Sequence, residues 1–224
     1  MSLDFPRYQV FLNYPFDADA EAISLAMHFA VVAAGLLPVC ALDLTSPDRP
    51  RLDVIEGAIT RCQYSAHDLS RFTGEGEKNL ARFNMPFELG GAFFQALRTQ
   101  NTGHRCAFFV TTPHDYKGFL SDLAGVDPLI YDTDVGLLLR MYEWLRDIVH
   151  AAFIPKPSVE ICDIYAELKG ELLRLRGSGR QGRPTHHEAQ ELMYQTASEH
   201  GLWDWRVIKA GQIAFPEVPL SWID

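Results

Sequence analysis

Short apolar runs alternate along this chain with stretches in which apolar residues recur every three or four positions, a pattern that predicts strands alternating with helices. Residues 8–14 (YQVFLNY) form an aromatic and aliphatic run ended by Pro15 and predict a strand; Ile23, Met27, Val31 and Ala34 give helical spacing across 17–34. Asp17 is the expected N-cap of that helix and Gly35 its C′ residue. The run 37–42 (LPVCAL) is too short for a helix and reads as a second strand, followed by a helix over 51–61 with Leu52, Ile55, Ala58 and Ile59 on one face. A weaker strand over 62–69 leads through the glycine-rich 73–79 to a helix opening at Asn84, Met85 and Pro86. The clearest strand, 105–111 (RCAFFVT), precedes a short helix at 116–124, a short strand at 129–132 and a long helix at 135–152.

Five short strands alternating with five helices are the signature of a parallel sheet covered on both faces. The expected fold is therefore α/β, a doubly wound five-stranded sheet of order 2-1-3-4-5, spanning residues 1–157. Pro155 and Pro157 punctuate the chain, and two further helices, 159–176 and 184–200, are joined by GSGRQGR. Residues 158–224 are read as a helical extension packed on the α/β domain.

Composition narrows the function classes. The chain has 224 residues, 47% hydrophobic and 22% charged, which fits one well-buried unit and excludes disordered and collagen-like classes. The apolar stretch 29–44 is broken by Gly35, Pro38 and Asp43, and the first ten residues lack the layout of a signal peptide, so no membrane association and a cytoplasmic location are expected. The net charge of -9 disfavours a nucleic-acid footprint but not a small anionic ligand. Cys40, Cys62, Cys106 and Cys162 include no CxxC pair, and His186, His187 and Glu188 do not complete a metal-binding HExxH. No metal is expected from these spacings, and the cysteines read as reduced core residues.

Ligands of doubly wound sheets bind beyond the carboxyl ends of the strands, where the strand order reverses. The residues expected there are Asn13, Tyr14, Pro15, Phe16 and Asp17 after the first strand, Ser65, His67, Asp68, Ser70 and Arg71 at the third, and Asn84, Met85, Pro86, Phe87 and Glu88 opening the third helix. NYPFD, YSAHDLSR and RFNMPFELGGAF at these places resemble the pattern of TIR domains and of nucleoside 2-deoxyribosyltransferases, which share a flavodoxin-like fold. The resemblance covers roughly residues 8–150 and implies that Glu88, followed by Leu89 as in the E-L pair of NAD-cleaving TIR domains, is the catalytic carboxylate. Glu88, Gly90 and Ala92 are similar to the E-x-G-x-A context of the transferase nucleophile, and Tyr14, Pro15 and Phe16 to its aromatic-Pro-Phe element. Two departures stand beside these: no acidic-Gly-Thr run precedes Glu88, and Met85, Pro86 and Phe87 replace the usual TIR tryptophan.

The function so implied is cleavage of the N-glycosidic bond of NAD or a related nucleotide, with Glu88 stabilising positive charge on the sugar. Tyr14, Phe16, Ser65, His67, Asp68, Arg71, Asn84 and Met85 are the expected substrate-binding residues. No cofactor is required, the nucleotide being the substrate, and the resemblance implies assembly into homo-oligomers. The alternatives are base exchange by a deoxyribosyltransferase-like enzyme and a nucleotide-sensing, self-associating signalling module without turnover. In that last case Glu88 serves its own helix, as first-turn carboxylates commonly do.

Overall fold

The computed structural model describes residues 8–17, 20–44, 49–71, 84–99, 103–113, 115–118, 120–123, 125–149, 156–177 and 184–202. Five strands, β1 (Gln9–Asn13), β2 (Leu37–Cys40), β3 (Tyr64–Asp68), β4 (Arg105–Val110) and β5 (Leu129–Ile130), form one sheet in the order β2-β1-β3-β4-β5. Every pairing is parallel. Among the described residues six α-helices accompany it: α1 (Glu21–Ala33), α2 (Arg51–Arg61), α3 (Asn84–Arg98), α4 (Asp134–Ile148), α5 (Ser158–Gly177) and α6 (His186–Glu199). This is a flavodoxin-like α/β fold, and its strand order is the one expected from the chain pattern.

Successive strand residues point to opposite faces, so each strand feeds two cores. Val10, Leu12, Tyr64, Ala66 and Phe109 pack with α1 and α4, whereas Phe11 meets Ile55, Ala58, Ile59 and Ala92 of α2 and α3. The first core extends into the C-terminal helices: Ile161, Tyr165 and Leu168 of α5 and Met193, Tyr194 and Ala197 of α6 belong to it. Phe29 of α1 stacks on Tyr165 with centroids 5.6 Å apart. None of the helices among the described residues is long and apolar enough to cross a membrane, and all four cysteines are free.

Local chemistry sets several boundaries. Gly35 has a φ of 75°, and Gly35 N–H and Leu36 N–H donate to the carbonyls of Val32 and Val31, ending α1 in a Schellman motif. Thr133 caps α4 by accepting from Gly136 N–H, and Thr185 and Glu188 form a reciprocal capping box at α6.

Three local expectations are corrected. Asp17 is not the N-cap of α1: its carbonyl and Oδ1 both accept from Ala20 N–H, closing a turn before the helix begins. In place of a helix at 116–124 there are two 3-10 turns, Asp115–Gly118 and Ser121–Leu123. Gly118 falls inside this segment and Gly125 closes it at a φ of 138°, leaving too short a run to offset helix nucleation. The strand expected at 129–132 keeps only Leu129 and Ile130: Tyr131 N–H still donates to the Val110 carbonyl, but the chain then leaves the sheet to reach Thr133, the N-cap of α4.

Leu138 of α4 is fully buried in the first core, whereas Leu52 on α2 is 54% exposed. Leu138→Ala is expected to cost about 2–5 kcal/mol in urea unfolding, and Leu52→Ala less than about 0.5 kcal/mol.

Candidate functional site

The strand order reverses between β1 and β3, and the side chain of Asn13 bridges the carboxyl ends there. Its Nδ2 donates to Nδ1 of His67 at 3.0 Å and to the carbonyl of Met85 at 3.0 Å. One amide thus ties β1 to β3 and to the first turn of α3. Since Asn13 supplies the proton, His67 Nδ1 accepts, and the neutral ring carries its hydrogen on Nε2. His67 is fully buried, and burial pushes its pKa down to about 3, with nearby His104 adding to the effect. Among the described residues, His67 Nε2 and Asn13 Oδ1 are buried with no hydrogen-bond partner. Such groups cost about 1–3 kcal/mol each.

Glu88 lies one helical turn after Met85, on the buried face of α3. Its residue is 9% exposed, and burial pushes its carboxyl up to about 7 against the opposing pull of Arg51 at the start of α2. No hydrogen bond to this carboxylate occurs among the described residues. The expectation that it stands in the first turn of its helix is corrected: α3 is described from Asn84, Glu88 is its fifth residue, and it caps no amide of its own helix. A carboxylate that is half ionised near neutrality can stabilise developing positive charge or exchange a proton.

The other expected site residues divide. Asp68 is buried at the end of β3 with both oxygens committed, Oδ1 accepting from Tyr131 hydroxyl at 2.6 Å and Oδ2 from Ser70 hydroxyl at 2.6 Å. Its burial raises its pKa, and its partners pull the other way. Asp68 therefore anchors the chain entering α4. Arg71 pairs with Asp17 at 3.1 Å, joining the segments that leave β3 and β1. Asn84 is exposed at the start of α3, while Met85 is buried and contributes its backbone carbonyl.

Two residues are engaged with other partners. Ser65 is fully buried within β3, its hydroxyl 2.9 Å from His104 Nε2. Tyr14 is 1% exposed and belongs to the core on the α1 side, edge-on to His28 with centroids 5.4 Å apart. Phe16 is 39% exposed and packs edge-on against Tyr14, so of the two rings it alone offers a surface to a base. Residues 73–79 lie outside the described residues. Asn13 is the central tie that residue-type reasoning undervalued; a polar residue closing an apolar strand was its visible signal.

Comparison with protein-family models and with curated proteins finds no match to this chain.

The depressed pKa of His67 has a consequence for stability. Between about 6.5 and about 3 the unfolded chain binds a proton at this position and the folded chain does not. Its contribution is thus fully present above about pH 6.5 and lost as pH falls through about 3, at up to about 1.4 kcal/mol per pH unit. Urea unfolding across this range is expected to show a steeper acid loss for the native chain than for His67→Gln.

Proposed function

We propose that this protein cleaves the N-glycosidic bond of NAD or a related nucleotide, with Glu88 as the catalytic carboxylate. The observation that carries this reading is a buried, unbonded carboxylate, held near half ionisation, one turn from the Asn13–His67–Met85 junction at the switch point of the sheet. Breaking a C1′–N bond leaves positive charge on the sugar, and an ionised carboxylate fixed in a poorly solvated position stabilises it or traps it covalently. The buried donor on His67 and acceptor on Asn13 suit sugar hydroxyls or an amide, and the exposed face of Phe16 suits a base. The resemblance of the three crevice segments to TIR domains and deoxyribosyltransferases supports the same chemistry.

Purified protein incubated with NAD and with a nucleoside panel is expected to release free base, measured by chromatography. Glu88→Gln should lower that rate by roughly 10²- to 10³-fold with the fold intact by circular dichroism. Because the ionised form is the active one, the rate should rise with pH through about 7. Release that Glu88→Gln leaves unchanged, or no release from the native protein at high concentration, overturns the proposal; transfer of the sugar to an added free base, with the original base released, assigns exchange instead of hydrolysis.

A further inference from the structure

On the opposite face of the sheet from Glu88, four side chains with metal-binding atoms meet: His28 of α1, Cys40 at the end of β2, Asp43 just beyond it, and His186 at the start of α6. One ligand atom from each lies within 4.8 Å of all the others. We propose that these four residues bind one divalent cation of the zinc class and so clamp α6 onto β2 and α1.

The donor set is the first support. Two imidazoles, a thiolate and a carboxylate suit zinc and its borderline-soft neighbours, and exclude magnesium and calcium, which take oxygen. Metal–ligand lengths of about 2.0–2.3 Å at tetrahedral angles place neighbouring ligand atoms roughly 3.3–3.6 Å apart. Cys40 Sγ lies 3.7 Å from His186 Nε2, which meets this edge, and His186 Nε2 lies 2.7 Å from Asp43 Oδ1, a contact that a cation between them would open slightly.

The second support is an atom that the protein itself leaves unmatched. His28 is 2% exposed, and its Nδ1–H donates to the carbonyl of Ser24 at 2.9 Å. That bond fixes the tautomer and leaves a bare lone pair on Nε2, which is buried with no hydrogen-bond partner among the described residues. Donation of the second ring N–H to a backbone carbonyl is the usual arrangement of a metal-bound histidine. Asp43 is oriented in the same way: Oδ2 accepts from Cys40 N–H at 2.8 Å and Oδ1 from Gln190 Nε2 at 3.2 Å. The Tyr14 hydroxyl, buried and without a partner of good geometry, lies beside the thiol.

Four protein ligands complete a tetrahedron, so the site is of the closed, structural kind. A cavity of about 290 Å³ bounded by α1, α5 and α6 reaches His28 and His186 and gives a path for the ion to enter. Binding replaces the Cys40 S–H bond by an S–metal bond, the proton passing to solvent, with no change of oxidation state. The expectation of no metal, drawn from spacing along the chain, is revised here because the ligands come from three separated segments, α1, the end of β2 and the start of α6. The inference does not depend on the reading of Glu88.

The full chain, stripped with a chelator, reloaded with zinc chloride and desalted, is expected to retain one equivalent of zinc by mass spectrometry of the metal. Cys40→Ser and His186→Gln should retain none above background while staying folded by circular dichroism, and His187→Gln should retain as much as the native chain. Cobalt(II) in place of zinc should give a thiolate charge-transfer band that survives Cys62→Ser, Cys106→Ser and Cys162→Ser, which identifies Cys40 even if its own variant does not fold. Zinc retention by the native chain no higher than that of Cys40→Ser, or a cobalt spectrum without the thiolate band, overturns the proposal.

Discussion

The structure depends on the burial of α1. Ala26 through Ala33 are all buried, eight consecutive residues covering every side of the helix. A helix apolar all round has to be covered all round, and the sheet can cover only one side of it. α4 lies alongside it, and α5 and α6 join the same core. The C-terminal helices are thus part of the solution to a burial problem posed near the start of the chain.

That constraint has chemical consequences at both ends of the sheet's carboxyl edge. On the α1 side, covering the helix brings α6 across β2, and with it His186 to Cys40 and Asp43. On the other side, α2 and α3 complete the smaller cores, and the first turn of α3 is drawn onto β1 and β3 by Asn13. The two candidate sites lie on opposite faces of the sheet, on either side of the chain that leaves β1. Asn13 faces one and its neighbour Tyr14 the other, because adjacent side chains at the end of a strand turn to opposite faces.

Buried polar groups divide into those the fold has satisfied and those it has not. Asp68 is fully bonded to Tyr131 and Ser70, and Ser65 to His104, so these residues hold the scaffold. Asn13 Oδ1, His67 Nε2 and His28 Nε2 remain buried and unpaired among the described residues. Residues that a sequence pattern groups together as one crevice are therefore separated by what their atoms are already bonded to.

The alternation of short apolar runs with helical spacing determined the fold class, because a parallel sheet covered on both faces needs that pattern; the strand order, chosen as a common one for five such strands, is the one observed. It also marked Gly35 as the end of α1, where a positive φ is required, and placed Glu88 on the helix that follows the third strand, although one turn too early in that helix. The sequence alone could not say that Tyr14 turns away from Glu88, that Asp68 is consumed by Tyr131, or that His186 reaches Cys40 across 146 positions. Local periodicity records which face of an element is apolar; it carries no information on which distant polar atoms meet once those faces are buried. Those encounters were decided by packing in three dimensions, and the chemistry of both candidate sites rests on them.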